Sequence, residues 1–364
     1  MRWNILYIII GVSLVLVGCS SDSTDERDDS GKTKQEHPLS MSMGMAPLQG
    51  EMRAAGDLPT GYSAYAYTTA LAPINDIVCF LTADNTSSDQ PEITTCHFIH
   101  EEESGNHVWK SRVVIQDGNY HLYGYMPNVS ATNVSIAEPT GSYTDGAVIT
   151  LTGLNAVMPE DICVIEGFKQ YDTTIPDMSD AVGKFVFNTS NGDNLYVLAS
   201  HIYAAMQIKM KLGTEYANLR KIKLRSITLT PVSGSDAASR VGAVITINGS
   251  GVQTVTFTTN STETLPAMLY GVEGTELTTT AYQAFQAFLC PALPASSRYV
   301  METRYDVYDR YGNLIRENES AENTLTHPSL AAGQKYDINI TVNPTYLYQL
   351  SDPDLDDPTF TIDE

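Results

Sequence analysis

Cysteine, tryptophan and basic side chains are all scarce in this chain. Its 364 residues include five cysteines, two tryptophans and 21 lysines and arginines, against 43 aspartates and glutamates. The net charge of −22 excludes nucleic acid and anionic membrane surfaces as electrostatic partners, because phosphate recognition needs clustered basic side chains. No two cysteines form a CxxC pair, so neither a zinc motif nor thioredoxin-like chemistry is predicted.

Catalytic motifs are missing as well. The sequence contains no GxSxG, HExxH, GxGxxG or P-loop pattern, which removes the usual reasons to infer a hydrolase, a metalloprotease or a nucleotide enzyme. We therefore expect a protein that is not an enzyme and that has no cofactor and no metal.

Two short acidic segments resemble metal sites without matching one. His97 and His100 precede Glu101–Glu103, but on a strand the two histidines face opposite sides, so we interpret the segment as a solvated hairpin end. Asp352–Asp357 has alternating carboxylates but no glycine at the sixth position of a calcium loop, so we interpret it as a solvated acidic linker. Calcium binding between subunits is the minor alternative.

The apolar run at the amino terminus is too short to span a membrane. Ile5–Val17 follows Arg2 and ends in Leu14–Cys19, Leu-Val-Leu-Val-Gly-Cys, whereas a spanning helix needs about 20 apolar residues. A basic end, a short apolar stretch and a small residue before cysteine are typical of a lipoprotein signal peptide. We predict residues 1–19 as this signal, with Cys19 carrying palmitate and other lipid, and a buried amino-terminal helix as the alternative.

The segment after Cys19 predicts where the protein is located. Residues 20–59 begin with an acidic, low-complexity stretch that has too little apolar surface to fold, so we predict a flexible leader and pro-segment. Acidic residues directly after the lipidated cysteine are similar to surface-export signals of Gram-negative lipoproteins. The predicted location is the exposed face of the cell outer membrane, and a periplasm-facing lipoprotein is the alternative.

From about residue 60 the chain has the pattern of antiparallel β structure. Apolar and polar residues alternate with a period of two in His201–Leu212, Arg298–Asp309 and Lys335–Asn343, which predicts half-buried strands. Within Arg220–Leu229 the alternation slips by one residue, so we predict a β-bulge near Arg225 and Ser226.

Further strands are predicted at residues 62–70, 77–83, 94–100, 107–115, 119–126, 147–152, 162–166, 184–188, 243–247, 252–258 and 284–290. A single hydrophobic core rarely accommodates so many short strands. The pattern therefore favours an all-β fold with two antiparallel β-sandwich domains. The loop-like Asn188–Asn194 places the boundary, giving an N-terminal domain over 60–192, a C-terminal domain over 193–344 and a tail over 345–364.

Four cysteines remain after Cys19 is assigned to lipid. Cys79 and Cys96 each lie in a strand-like run and would form a disulfide between neighbouring strands if the compartment oxidises them. Buried free thiols are the equal alternative for these two. The pairing of Cys163 and Cys290 stays open.

Several features together resemble the fimbrillin family of type V pilins. They are the lipobox, the pro-segment, the Gly-Asn-Tyr-His-Leu-Tyr-Gly-Tyr-Met-Pro run at 118–127, the long alternating strand at 201–212 and the Leu-Ala-Ala-Gly-Gln-Lys-Tyr-Asp-Ile-Asn-Ile run at 330–340. The resemblance implies two tandem transthyretin-like sandwich domains. It also implies a lipoprotein precursor that a trypsin-like protease trims after an arginine, with removal of the first strand.

For this chain the resemblance assigns the cut to the bond between Arg53 and Ala54, although Arg27 also precedes the folded region. An extended segment of another pilin subunit would fill the vacancy. The tail has suitable side chains at alternate positions: Tyr346, Tyr348, Leu350, Phe360 and Ile362. A disordered tail, or one folded on its own domain, is the alternative.

The functional prediction is a stalk, accessory or tip subunit of an adhesive fimbria, polymerised by donor-strand exchange. The alternative is a non-polymerising surface lipoprotein that binds a host glycan or protein. Such a lipoprotein would use a platform of exposed aromatic side chains, for which the candidates are Trp109, Tyr120, Tyr123, Tyr125, Tyr203 and Tyr308, although alternating tyrosines are more often ordinary sheet residues.

Overall fold

The computed structural model describes residues 36–43, 76–83, 93–103, 106–129, 131–139, 142–155, 160–170, 180–231, 242–258, 268–279, 283–291, 298–326, 331–333, 335–346 and 353–362. Within these ranges the chain is almost entirely β-strand, which confirms the all-β class. The strands are β1 (Glu36–Met43), β2 (Asp76–Ala83), β3 (Thr94–Glu103), β4 (Asn106–Gln116), β5 (Asn119–Met126), β6 (Asn133–Ala137), β7 (Ala147–Thr152), β8 (Cys163–Gln170), β9 (Val186–Asn188), β10 (Asn194–His201), β11 (Ala204–Leu212), β12 (Arg220–Pro231), β13 (Gly242–Asn248), β14 (Gly251–Thr258), β15 (Met268–Glu276), β16 (Gln283–Leu289), β17 (Arg298–Asp309), β18 (Leu314–Thr326), β19 (Lys335–Tyr346) and β20 (Pro353–Ile362).

Helical structure in the described ranges is confined to single turns. They are one α-helical turn, α1 (Thr214–Ala217), and two 3-10 turns at Tyr143–Asp145 and Thr189–Asn191. Over the part of the chain that the structure describes, no helix has the length and apolar character needed to cross a membrane.

Seven strands between Glu36 and His201 close into a ring. The strand order is β2-β3-β4-β1-β10-β8-β5, a further pairing joins β2 to β5, and β9 extends the sheet beyond β5. The ring explains why β2 and β5 are buried along most of their length instead of alternating, because side chains on both faces of these strands are covered by protein.

Three four-stranded sheets complete the described fold. Their orders are β14-β13-β7-β6, β16-β11-β19-β20 and β15-β12-β17-β18. The main hydrophobic cluster holds most buried residues up to Tyr203 together with four from the later part of the chain, Ala243, Ile245, Ile247 and Cys290, while a second cluster runs from Ala204 to Phe360. The pairing of β7 with β13 crosses the predicted boundary at 192 and 193, and the two tandem transthyretin-like sandwiches stay a prediction.

The strand predicted over His201–Leu212 is two strands. β10 ends at His201 and β11 begins at Ala204, and the inward alternation from Ala204 to Leu212 is confirmed. Tyr203, predicted to face outward, is buried, with its ring centroid 5.0 Å from that of Phe257. The chain bends between the strands, so the period of two does not continue through the bend.

The predicted β-bulge is confirmed. The register of β12 shifts between Leu224 and Ser226 against both of its neighbours. Against β17, Arg225 is the extra residue, whereas against β15 the extra residues lie in β15. Arg225 Nε donates to Asp306 Oδ1 at 2.6 Å, and the backbone N–H of Asn318 donates to the same oxygen at 2.8 Å. Asp306 occupies a polar position of the alternation in Arg298–Asp309, which predicts an outward side chain, but it is buried in the structure, where the bulge arginine compensates its charge.

We expect Asp306→Asn to weaken the fold in a pH-dependent way. Burial by itself raises the pKa of Asp306, but the hydrogen bonds from Arg225 and Asn318 outweigh burial and lower it below 3.8. The carboxylate therefore stabilises the fold above about pH 4 and loses this effect as the pH falls through its lowered pKa. Urea unfolding should show a loss of about 1–3 kcal/mol at neutral pH, shrinking in acid.

The exposed carboxylate of Glu322 on β18 provides the control, since Glu322→Gln should change the free energy of unfolding by no more than about 0.5 kcal/mol at either pH. A loss for Asp306→Asn that is the same at neutral and acidic pH would contradict the assigned ion pair.

Gly124→Ala should destabilise the ring of strands. A Cβ at Gly124 in β5 would lie 2.6 Å from the carbonyl oxygen of Val78 and 2.8 Å from Cys79 Sγ, so the strands would have to separate, at a cost of about 1–3 kcal/mol. Gly249→Ala is the matched control, because no atom lies within 4 Å of its Cβ position. Thermal unfolding that ranks the two variants equally would contradict this packing.

Candidate strand-exchange site

The amino-terminal strand β1 lies inside the ring of strands and not at its margin. It pairs antiparallel with β4 and parallel with β10. This part of the chain falls within the segment predicted as a flexible leader. The difference has a visible sequence signal, because Leu39, Met41 and Met43 alternate, but Pro38 in the same run argues against a strand.

The two neighbours hold β1 differently. Ser40 is the register partner of Lys110 on β4 and of Asn194 on β10, and its backbone N–H donates to the carbonyl of Asp193 at 3.1 Å. The register with β4 shifts between Pro38 and Ser40, which accommodates the proline that has no N–H to donate. Ser40 and Asn194 also touch through their side chains.

Two apolar side chains of β1 are fully buried. Leu39 and Met41 are each 1% exposed, and Met41 is the register partner of Trp109, which is 0% exposed. All three belong to the main hydrophobic cluster. Burial of a leucine or methionine contributes roughly 1.5–3 kcal/mol, so β1 is part of the core and not a peripheral addition.

The position of β1 determines which groups its loss would expose. The order β4-β1-β10 means that loss of β1 would leave the facing edges of β4 and β10 with unpaired backbone groups and an uncovered apolar cleft. An extended segment with apolar side chains two residues apart would satisfy both needs, by pairing with the edges and filling the positions of Leu39 and Met41.

The predicted processing residues lie outside the described residues. Cys19 precedes the first described strand, and Arg53 and Ala54 fall between β1 and β2, within residues 44–75. In sequence, a cut after Arg53 would therefore separate β1 from every other described strand.

The predicted donor residues are distributed over the tail. Phe360 and Ile362 lie on β20, which pairs antiparallel with β19 so that Phe360 faces Val342 and Ile362 faces Ile340. Tyr346 ends β19, whereas Tyr348 and Leu350 lie outside the described residues. In this structure the described end of the tail is thus folded on its own chain, which was one of the alternatives to a donor role.

The acidic run at 352–357 was predicted as a solvated linker, and this is wrong for its described part. Residues 353–357 belong to β20, and Arg220 donates to Asp356 Oδ1 through Nε at 2.9 Å and Nη2 at 2.7 Å. Phe360 is 4% exposed, with its ring 5.0 Å from that of Tyr305. The arginine and the aromatic contact give β20 partners that the sequence pattern of the tail does not reveal.

The aromatic platform considered for the alternative function is not on the surface, and the interpretation of these side chains as ordinary sheet residues is confirmed for the five that are buried. Five of its six members are buried, namely Trp109, Tyr120, Tyr123, Tyr125 and Tyr203, and Tyr308 is half-buried with Lys223 Nζ 5.0 Å from its ring centroid. These side chains fill the ring of strands and its surroundings, so they offer no exposed stacking surface for a glycan.

A surface groove of about 600 Å³ borders β8 and β9. It is lined by Phe168, Lys169, Asp180, Lys184 and Phe185 among others. Lys169 and Lys184 both pair with Asp180, and their hydrogen bonds lower the pKa of that carboxyl to about 2. Two positive charges against one negative charge leave the charged side chains of this lining with a net positive charge.

The histidine-rich strand end is a hairpin, as predicted. β3 and β4 pair up to Glu103 and Asn106, and His97 Nδ1 lies 3.0 Å from Asp76 Oδ2.

Cys79 and Cys96 are register partners on β2 and β3, which confirms neighbouring strands, and both are free buried thiols here. Burial raises the pKa of Cys96 to about 12.

The sequence analysis missed one cluster of side chains of the types that bind metal ions. Asp161, Cys163 and His201 bring their ligand-type atoms within 4.8 Å of one another. Burial by itself lowers the pKa of His201, but the facing Cys163 and Asp161 groups outweigh burial and raise it well above its ordinary value. His201 is 38 residues from Cys163 in sequence, and only the pairing of β10 with β8 makes them neighbours.

Comparison with known proteins gives structural neighbours only. No family model and no curated protein matches the chain. A candidate cell adhesion protein from Bacteroides uniformis is 11% identical, with a TM-score of 0.42 over 90% of this chain and 97% of that one. One from Bacteroides ovatus is 14% identical, with a TM-score of 0.40 over 92% and 97%.

The fimbrial anchor protein Mfa2 from Porphyromonas gingivalis is 9% identical, with a TM-score of 0.28 over 90% of this chain and 95% of that one. At these values the likeness carries no functional inference, whereas the geometry of β1 is a property of this chain and stands without it.

Truncating the buried side chains of β1 should weaken the ring. We expect Leu39→Ala and Met41→Ala each to lower the free energy of unfolding by about 2–5 kcal/mol, because each leaves a cavity in the core. Trp109 fluorescence provides the measurement, since the other tryptophan, Trp3, lies in the predicted signal peptide. Val114→Ala is the control: Val114 is 49% exposed on β4 and should cost about 0.5 kcal/mol or less.

Proposed function

We propose that this protein is a structural subunit of an adhesive cell-surface fimbria that assembles by exchange of β-strands. One observation carries the proposal: β1, which precedes Arg53 in the chain, is an interior strand of the closed ring. The proposed sequence of events is export as a lipoprotein anchored in the outer membrane through Cys19, trimming after Arg53 by a trypsin-like protease, loss of β1 and replacement by a strand of another subunit.

The position of the cut supports the order of these steps. While the chain is intact, β1 competes for its own groove at very high effective concentration, because it is covalently tethered. A cut after Arg53 removes that advantage, and β1 becomes a dissociable peptide. Polymerisation is then controlled by proteolysis and does not begin before the subunit reaches the protease.

The side chains of β1 define what a replacement must offer. Leu39 and Met41 occupy their buried positions at i and i+2, so the replacement needs apolar residues at the same spacing. In the tail, Tyr346, Tyr348 and Leu350 have this spacing, and so do Phe360 and Ile362. Either segment of the tail meets the requirement.

A tail that donates a strand must first leave its own chain. β20 has one strand neighbour among the described strands, β19, and is further held by Arg220 and by Asn323, whose side-chain amide donates to the carbonyl of Phe360 at 2.6 Å. The exchange would trade these contacts for pairing on two sides in the groove of the next subunit. Pairing with both β4 and β10 favours the exchanged state.

The alternative, a non-polymerising surface lipoprotein that binds a host glycan or protein, has weaker support. Five of the six aromatic residues considered for a stacking platform are buried, and the sixth, Tyr308, is half-buried. The adhesive role itself is proposed at the level of the assembled fimbria, with other pilin subunits as partners.

Limited trypsin treatment of the chain lacking residues 1–19 tests the proposal. We expect cleavage after Arg53, followed by a red shift of Trp109 fluorescence as β1 leaves, because Trp109 lies opposite Met41. Ladders of polymers that resist mild denaturant should follow, with the fluorescence returning to the blue as new strands cover Trp109. Mass spectrometry, fluorescence and electrophoresis follow the three stages.

Two variants act as controls. Arg53→Gln should abolish all three changes, whereas Arg27→Gln should leave them intact. Deleting residues 345–364 separates the roles of the tail, since trimming and the red shift should persist while polymers are lost. A trimmed protein that stays monomeric with Trp109 buried would rule out strand exchange.

A further inference from the structure

We propose that Asp161, Cys163 and His201 form a binding site for a single borderline transition-metal ion, with Zn²⁺ as the type. The inference rests on the convergence of a carboxylate, a thiol and an imidazole within 4.8 Å of one another. It concerns a different part of the ring from the β1 groove and does not depend on the proposed function.

Strand pairing places the three side chains together. Cys163 begins β8 and His201 ends β10, and the two residues are register partners. Asp161 lies two residues before Cys163, so in an extended chain its side chain points to the same side. Ile202 N–H donates to the carbonyl of Ile162 at 2.9 Å, which continues the contact between the two segments past the ends of the strands.

The distances are close to those of a ligand set. His201 Nδ1 lies 3.2 Å from Cys163 Sγ and 2.8 Å from Asp161 Oδ2. Bond lengths of about 2.0–2.3 Å in a tetrahedral zinc site imply ligand atoms roughly 3.3–3.7 Å apart. An ion therefore needs only a modest widening of the two separations from His201, and the third pair of ligand atoms lies within 4.8 Å.

The chemistry of the three donors selects the ion. Thiolate and imidazole ligands favour zinc, cobalt and copper over calcium and magnesium, which prefer oxygen ligands alone. Asp, Cys and His supply one ligand each, and a set of three leaves the fourth tetrahedral position for water or a small exogenous ligand. The arrangement thus defines an open site.

Burial gives the ion a physical role. The side chain of Asp161 is 4% exposed, that of His201 is 12% exposed, and Cys163 is 1% exposed. Taking ionisable groups out of water is costly unless they are paired or coordinate a metal. A divalent cation compensates a carboxylate and a thiolate together, and the slight exposure of His201 provides a route of entry.

A second histidine–carboxylate pair in the chain provides the comparison. His97 Nδ1 lies 3.0 Å from Asp76 Oδ2, almost the same distance as in the cluster, but the side chain of His97 is 49% exposed. The pair is not among the groups of three or more ligand-type residues found in the described ranges. If a histidine and a carboxylate were sufficient, both pairs would bind metal alike.

Titration of the purified, chelator-treated chain with Co²⁺ tests the site. We expect saturation at one Co²⁺ per chain, with visible bands of tetrahedral cobalt and a near-ultraviolet band from the thiolate–cobalt bond. Zn²⁺ should displace the cobalt and remove the bands, whereas Ca²⁺ and Mg²⁺ should not. A folded protein without the thiolate–cobalt band would overturn the proposal.

Variants assign the ligands. Cys163→Ser should abolish the thiolate–cobalt band, and His201→Gln and Asp161→Asn should each weaken binding by about tenfold or more. His97→Gln, the matched control, should bind like the parent. A band that persists in Cys163→Ser would exclude this site.

One further measurement needs no variant and so does not depend on a variant's folding. Zn²⁺ should slow alkylation of Cys163 at least several-fold in mildly destabilising urea, as followed by peptide mass spectrometry, and by a larger factor than it slows alkylation of Cys79 and Cys96, which only the stabilised fold protects. Equal rates for Cys163 with and without Zn²⁺ would contradict the site.

Discussion

The closed ring of strands depends on β1, which precedes the other six strands in the chain and is separated from them by residues 44–75. β1 completes the backbone pairing of β4 on one side and β10 on the other, and it covers the core with Leu39 and Met41. Because it enters as a separate piece, the ring has a built-in point of weakness: its continuity relies on a short strand joined to β2 through residues 44–75. The same geometry that stabilises the intact chain defines the groove that a second chain could fill if β1 were removed.

The remainder of the fold compensates locally for irregular features. The bulge in β12 projects Arg225 towards Asp306. The ion pair between them allows a carboxylate to be buried in the sheet β15-β12-β17-β18. Gly124 has a comparable role in the ring, since its missing side chain lets β5 approach Val78 and Cys79 on β2. We expect both positions to tolerate little change, because Arg225 compensates a buried charge and a side chain at Gly124 would overlap atoms of β2.

How far the sequence predicts this structure depends on the range of the interactions involved. β5 and β7 begin and end where predicted, and the β12 bulge is correct, because alternation and its slips are local signals. The inward alternation of β17 holds at Tyr299, Met301, Tyr305 and Val307, yet fails at Asp306, whose environment depends on Arg225 from a different strand. The exposure required by the alternative aromatic platform fails for a similar reason, since a period of two does not tell whether the second face of a strand is covered.

The amino-acid sequence alone determined the all-β class and most strand positions, whereas processing at Cys19 and Arg53 stays a prediction. These properties reside in short stretches of chain, where neighbouring residues set hydrophobic periodicity and motif chemistry. Tertiary structure decided that β1 is an interior strand, that β20 folds against β19 and that Asp161 and Cys163 meet His201. Such contacts join residues far apart in sequence, and they depend on which strand edges pair, a choice made by the burial of the whole chain.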